Sequence, residues 1–487
     1  MDILFIDPPY ITLKGMSIER GYNLGLTGLA AYLRNEGLET AVLTGDLLTD
    51  LPSRRYTTLL DVSLQKYAAG QRDYETTVKD KTHVVWQKLA ALVNQTDPMA
   101  VGIPYLTPLR YVVERVANLV REVNRDIKII VGSFHPTYCP EEVMQNRDID
   151  FVISGEGEIP LLNLIKELRK ASPRWETVPG ISYRTKDGQV KHNPRADLIN
   201  NLDELPFPAR DLVLNCDYTT YRAHSISTAR GCPYSCTFCA DKSLWGGRVR
   251  RRSVDNVIEE LRFLQDTYKP SYVDLVDGTF TFDRKYLETF CNTMIDQKLN
   301  IQWRCTARYY NLNEELLQLM KKSNCSGLYL GFESGSNKVL KTIDKHTTVE
   351  QNIKVSQIVY KSGIPSVTSI ILGLPDEDKE DIEETLKAMK IIKTDLLDIN
   401  NYTPLPGTPL YEAMSEEDKK NIDWQKVGLK SFNNHFSNNI SSDDFVRYLS
   451  EAYDIANKVR KKTLVRFGAK MLLRFVARPF NKLWNHH

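Results

Sequence analysis

The 487-residue chain contains no run of eighteen apolar residues, so no membrane-spanning helix organises it. Its first residues, Met1-Asp2-Ile3-Leu4-Phe5-Ile6-Asp7, lack a basic n-region and enter a strand pattern at once, so no secretory leader is expected. Cysteine is scarce at eight residues, and Cys139, Cys216, Cys291, Cys305 and Cys325 follow no framework spacing. That excludes a disulfide-built secreted fold and leads us to expect a cytoplasmic protein. Acid is missing from the C-terminal end. From Ile455 onward there are nine Lys or Arg and no Asp or Glu, which leaves 55 basic against 62 acidic residues before it. Nowhere does the body interleave cations with aromatics as a nucleic-acid groove does, so no nucleic-acid partner is expected.

What the chain does contain is a set of three close thiols. In Arg230-Gly231-Cys232-Pro233-Tyr234-Ser235-Cys236-Thr237-Phe238-Cys239 the CxxxCxxC spacing, on a loop opened by glycine and proline, lets Cys232, Cys236 and Cys239 converge on one soft metal centre. A four-iron cluster held by three thiolates keeps one iron open, as a catalytic metal position requires. Structural zinc is the competing reading, but zinc spacings pair CxxC knuckles and no second knuckle is present. With Phe238 before the last cysteine, the loop resembles the signature of the radical SAM superfamily. The resemblance implies a 4Fe-4S cluster whose open iron is chelated by S-adenosylmethionine (SAM), Phe238 near the adenine, and reductive cleavage to a 5'-deoxyadenosyl radical. It also implies an external electron donor such as flavodoxin or ferredoxin.

Upstream, short apolar runs at Ile3–Ile6, Thr40–Leu43, Ala100–Ile103, Ile127–Val131 and Phe151–Ile153 alternate with helical patterns such as Val112-Val113-Val116-Ala117-Val120. This predicts a doubly wound parallel sheet. Pro8-Pro9-Tyr10, Pro104-Tyr105-Leu106-Thr107, Gly132-Ser133-Phe134-His135 and Gly155-Glu156-Gly157-Glu158 then fall at its carboxyl edge, where open α/β sheets bind ligands. The segment resembles the cobalamin-binding domain that precedes the radical SAM barrel in one large subgroup, with Pro104-Tyr105-Leu106 and Gly132-Ser133 as imperfect copies of its serine-x-leucine and glycine-glycine motifs. The resemblance implies cobalamin contacts from Tyr10, Pro104, Leu106, Gly132, Ser133, His135, Gly155 and Glu156. The histidine motif that ligates cobalt in some relatives is absent, since Asp7-Pro8-Pro9-Tyr10-Ile11-Thr12 stands in its place, and His135 reads as a loop or tail contact. Residues 53–95 read as a helical insertion, two helices around a polar middle at Gln71 to Lys81 that pack structurally or cap a cavity.

The expected architecture is α/β throughout: a cobalamin-binding-like domain over 1–170, a linker with a small hairpin near Ile181-Ser182-Tyr183 over 171–215, a partial six-unit β/α barrel over 216–410, and a small helical C-terminal region over 411–487. Barrel strands are predicted at Ser225–Ala229, Tyr272–Val276, Ile301–Ala307, Gly327–Phe332, Val367–Leu372 and Leu397–Asn400. By resemblance Glu333 meets the SAM ribose or ammonium group, Arg308 its carboxylate and Gly373 its adenine; for Glu333 the structural alternative is a salt bridge to Arg304 or Arg308. In the basic tail Leu464, Phe467, Met471 and Phe475 recur at helical spacing, which suits packing on the barrel and peripheral membrane contact equally.

The function expected is a cobalamin-dependent radical SAM methyltransferase acting at an unactivated carbon of a small-molecule or lipid-like substrate. Radical cyclisation or rearrangement within the subgroup is the alternative, and a non-catalytic cobalamin and iron-sulfur sensor the reading from another class. A methylthiotransferase is disfavoured, since only Cys139 lies before residue 170.

Overall fold

A computed structural model describes residues 1–10, 13, 22–48, 64–216, 223–428 and 435–476, without the side chains of Tyr67, Ala223 and residues 467–476. The N-terminal sheet is formed by β1 (Ile3–Asp7), β2 (Thr40–Thr44), β3 (Ala100–Pro104), β4 (Lys128–Gly132), β5 (Phe151–Ile153), β6 (Ile181–Arg184) and β7 (Val190–His192), in the order β2-β1-β3-β4-β5-β6-β7. The first five are parallel. Ile3, Leu4, Phe5 and Ile6 are each at most 2% exposed, so both faces of β1 are covered, as a parallel sheet demands. The hairpin read as part of a linker forms, but it pairs antiparallel with β5 and extends the sheet by two strands.

The helix Arg110–Val123 buries Val112, Val113, Val116, Ala117 and Val120 against one face, and Leu24–Asn35 and Glu158–Leu168 cover the other. The insertion differs from expectation. Its helices are Leu64–Lys79 and Val84–Thr96, so most of the supposed polar middle is helical. Gln71 Nε2 donates to the Gln425 carbonyl at 2.7 Å, and no described residue of the insertion lines either cavity discussed below. Leu59, Leu60 and Ser63 lie outside the described residues.

The second sheet is formed by β8 (Ala223–Ile226), β11 (Tyr272–Leu275), β12 (Trp303–Ala307), β13 (Cys325–Glu333), β14 (Ser366–Leu372) and β15 (Leu396–Asn401), all parallel, with β8 and β15 at its two edges among the described residues. Between β8 and β11 a two-stranded ribbon, β9 (Ala229–Arg230) and β10 (Arg250–Arg251), opens and closes the cysteine loop. The predicted strand Ser225–Ala229 is therefore broken at Ser227 and Thr228. A single helix, Ser442–Val476, runs through the C-terminal region and includes the tail positions read at helical spacing. It buries Phe445, Tyr448, Leu449 and Ala452 in the barrel core. Further along, Leu464 packs on Tyr329, Val367 and Leu396, Thr463 Oγ1 donates to the Asp395 carbonyl, and Arg466 pairs with Asp395 at 3.0 Å. The start of the tail therefore sits on the barrel. Phe467, Met471 and Phe475 lie outside the residues whose side chains are described.

Candidate active site

The cysteine loop is fixed at both ends by groups the local sequence supplies. Gly231 adopts φ 95°, and a Cβ there would collide with the Arg248 carbonyl, so this entry to the loop needs glycine. Below it, the Asp277 carboxylate accepts from the backbone N–H groups of Thr228 at 2.7 Å and Ala229 at 3.0 Å and from the Thr228 hydroxyl. That carboxylate closes the break between β8 and β9, and burial lifts its pKa above the usual range. Arg230 meets Glu156 at 2.5 Å and also pairs with Glu158, while Arg250 reaches Glu156 at 2.9 Å. Trp245 faces both guanidiniums. Burial alone would raise the Glu156 carboxyl, yet Arg230 and Arg250 outweigh it and hold it low.

This network joins the loop after β5 to the cysteine loop, and two cavities flank it. The first, about 240 Å³, lies at the carboxyl edge of the N-terminal sheet and is lined by Pro104, Leu106, Gly132, Ser133, Gly155 and Glu156, six of the eight residues expected to face cobalamin. Ser133 is held at φ 90°, a conformation that suits glycine, at the place of the second motif glycine. The other two expected residues are elsewhere. The Tyr10 N–H donates to Asp46 and its ring meets Tyr74 at 5.3 Å. His135 is wholly buried, stacked on Tyr105 at 5.1 Å, with its pKa pushed down to about 3 by burial and then by Arg110.

The second cavity, about 230 Å³, lies at the mouth of the barrel and is lined by Cys232, Cys236, Cys239, Phe238, Arg308 and Glu333, among others. Arg308 lies 3.9 Å from the Tyr234 ring centroid, points Nη1 at the Cys236 sulfur at 3.7 Å, and leaves its buried Nε without a partner. Glu333, at φ 66°, pairs with Lys345 at 2.6 Å. Neither expected alternative partner is used, because Arg304 is bound to Asp274 at 2.7 Å. Gly373 lines neither cavity: its N–H donates to Glu377 at 2.6 Å, and a Cβ would meet His435 and Phe445.

Lys345 was missed in the sequence, where nothing in the surrounding pattern marks it; Asp277 stands out there, with Gly278, as polar chemistry at the end of the second barrel strand, but its role in closing the strand break is not readable from the pattern. The three cysteines form no disulfide and line one cavity together. Burial pushes the Cys232 thiol up to about 11.

Residues 19–165 match the B12 binding domain family and residues 226–389 the Radical SAM superfamily. The chain is 31% identical over 397 residues, 79% of its own length and 83% of the other, to an uncharacterized methyltransferase of Pyrococcus horikoshii. The chain is a radical SAM enzyme with a B12-binding domain. Its cofactors are accordingly a 4Fe-4S cluster, SAM and cobalamin, and the two cavities hold residues chemically suited to them. This radical SAM enzyme is also 30% identical over 335 residues to the anaerobic magnesium-protoporphyrin IX monomethyl ester cyclase of Rubrivivax gelatinosus, covering 67% of this chain and 60% of that one. Among solved structures it shares the fold of the radical S-adenosylmethionine methyltransferase TsrM from Kitasatospora setae, with a TM-score of 0.63 at 16% identity over 84% of this chain and 75% of that one.

Proposed function

We propose that this enzyme transfers a methyl group to an unactivated carbon of a small-molecule substrate. The observation that carries the reading is the adjacency of the two cavities, which share Leu106, Asp241, Val276 and Gly278 in their walls. A methyl carrier on one side and a radical source on the other would then face a common space. Bound there, the cofactors supply the methyl group and the radical. The chain's own residues bind and orient. Cys232, Cys236 and Cys239 hold the cluster, Arg308 offers its cation to the SAM carboxylate, and Glu333, steadied by Lys345, accepts from the ribose hydroxyls. Leu106, Phe134 and Leu405 line the second cavity with apolar surface that keeps water from a reactive species.

Anaerobic incubation with SAM, cobalamin and a strong reductant tests the reading. With substrate, a methyltransferase yields 5'-deoxyadenosine, S-adenosylhomocysteine and a product heavier by one methylene unit. Substrate turnover without S-adenosylhomocysteine would refute methyl transfer and favour the cyclisation of the Rubrivivax relative's name. Arg308→Lys loses the planar fork and the stack on Tyr234, and is expected to weaken SAM binding about tenfold, a loss of roughly 1.4 kcal/mol, with cluster iron unchanged. Equilibrium binding to the cluster-loaded protein measures it, and unchanged affinity would remove Arg308 from the site. The one-electron supply is assigned to an external donor of the flavodoxin or ferredoxin class. Among the described residues no helix is long and apolar enough to cross a membrane, and any peripheral contact would rest on the tail beyond Arg466.

A further inference from the structure

Outside both cavities, the short helices Phe134–Tyr138 and Pro140–Met144, with Cys139 between them, gather His135, Cys139 and Glu142, whose ligand atoms all lie within 4.8 Å of one another. None of the three lines the cofactor cavities. His135 Nδ1 is 3.1 Å from Thr107 Oγ1, while Nε2 is buried without any hydrogen-bond partner and faces Glu142 Oε2 at 4.0 Å. With Nδ1–H donated to Thr107, Nε2 presents a bare lone pair to a carboxylate oxygen, an arrangement that repels unless a cation sits between them. The other Glu142 oxygen, Oε1, is held by Arg110 Nη2 at 2.7 Å. Each of these two groups thus has an orienting partner behind it, as metal ligands do. Cys139 is half-buried, and burial followed by Glu142 pushes its thiol up to about 12, so a metal has to displace the proton.

We propose that His135 Nε2, the Cys139 thiolate and Glu142 Oε2 bind one divalent ion of the zinc type, with a fourth position open to water. Mixed nitrogen, sulfur and carboxylate ligands suit this ion; bonds of about 2.0 to 2.3 Å require the set to close by up to about 1 Å, through rotation of the Cys139 and Glu142 side chains. Binding expels the Cys139 thiol proton to solvent. The ion would pin the turn that carries Ser133 to the wall of the first cavity and Phe134 to that of the second. The proposal is independent of the reaction catalysed.

The test uses the full chain with Cys232, Cys236 and Cys239 replaced by alanine, stripped of metal and titrated with Co²⁺ alone. One equivalent is expected to bind with a thiolate-to-cobalt charge-transfer band that Zn²⁺ abolishes. Cys139→Ser should remove the band, and Thr107→Val should keep it while weakening binding about 10- to 100-fold. Absence of the band, or its persistence in Cys139→Ser, overturns the site. Should the triple replacement fold poorly, elemental analysis of the cluster-loaded enzyme decides: one zinc per chain, lost in Cys139→Ser, supports the site, and equal zinc in the two refutes it.

Discussion

Replacing any one of Cys232, Cys236 or Cys239 with alanine is expected to remove the anaerobic cluster absorbance and reduce SAM cleavage to background. All three thiols line one cavity on a loop held by Gly231 and Asp277, and no other cysteine lines it. Each thiolate is assigned its own iron, so loss of one leaves an iron without its protein ligand in a site where the fourth iron is already open. Cys291→Ala is the control. That thiol is wholly buried in the barrel core, so its loss should lower the unfolding midpoint and leave cluster iron unchanged. A full, SAM-cleaving cluster in any of the three single variants would sink the assignment.

Glu260→Gln should cost the fold about 3 to 5 kcal/mol, read as a lower denaturant midpoint of the full chain. Glu260 is wholly buried, bound to Arg210 at 2.8 Å and Arg252 at 2.5 Å. Arg210 is equally buried and joins three parts of the chain, since it also donates to the Tyr22 hydroxyl at 2.6 Å and the Ser225 carbonyl at 2.9 Å. The amide leaves two guanidinium charges without a counterion at a buried position, which is where the cost arises. The same pair sets a pH dependence. Burial raises the Glu260 carboxyl, but Arg252 and Arg210 outweigh it and hold it below the ordinary 4.5. Its contribution is therefore complete above about pH 4.5 and is lost as the pH falls through the lower folded value. The gap between wild type and Glu260→Gln should narrow in acid; a gap that stays constant or widens there would contradict the ion pair as the source.

Much of this was legible in the chain because local patterns carry it. The strand Ile3–Asp7 opens on the continuous apolar run Ile3–Ile6 because both faces of a parallel strand are buried, and Ser366–Leu372 is buried throughout although it carries Ser366, Thr368 and Ser369. The ligand loops were located because a parallel sheet delivers all its strand ends to one edge. The insertion was misread because its exposed polar residues between Gln71 and Lys79 give a weak apolar period, although they are compatible with helix; contact with Gln425, far along the chain, accompanies that helix.

The sequence by itself determined the three-thiol loop, the alternating β/α order and the absence of a histidine after the first strand, since each depends on residue type at short spacing. Only the tertiary structure decided that Glu333 pairs with Lys345 and not with Arg304 or Arg308, that Glu156 is committed to Arg230 and Arg250, and that His135 turns away from both cavities toward Cys139 and Glu142. The physical reason is that a buried charge or lone pair takes whichever partner the packed elements bring within about 3 Å. For Glu156 and Arg230 that partner lies more than seventy residues away, beyond any local spacing rule.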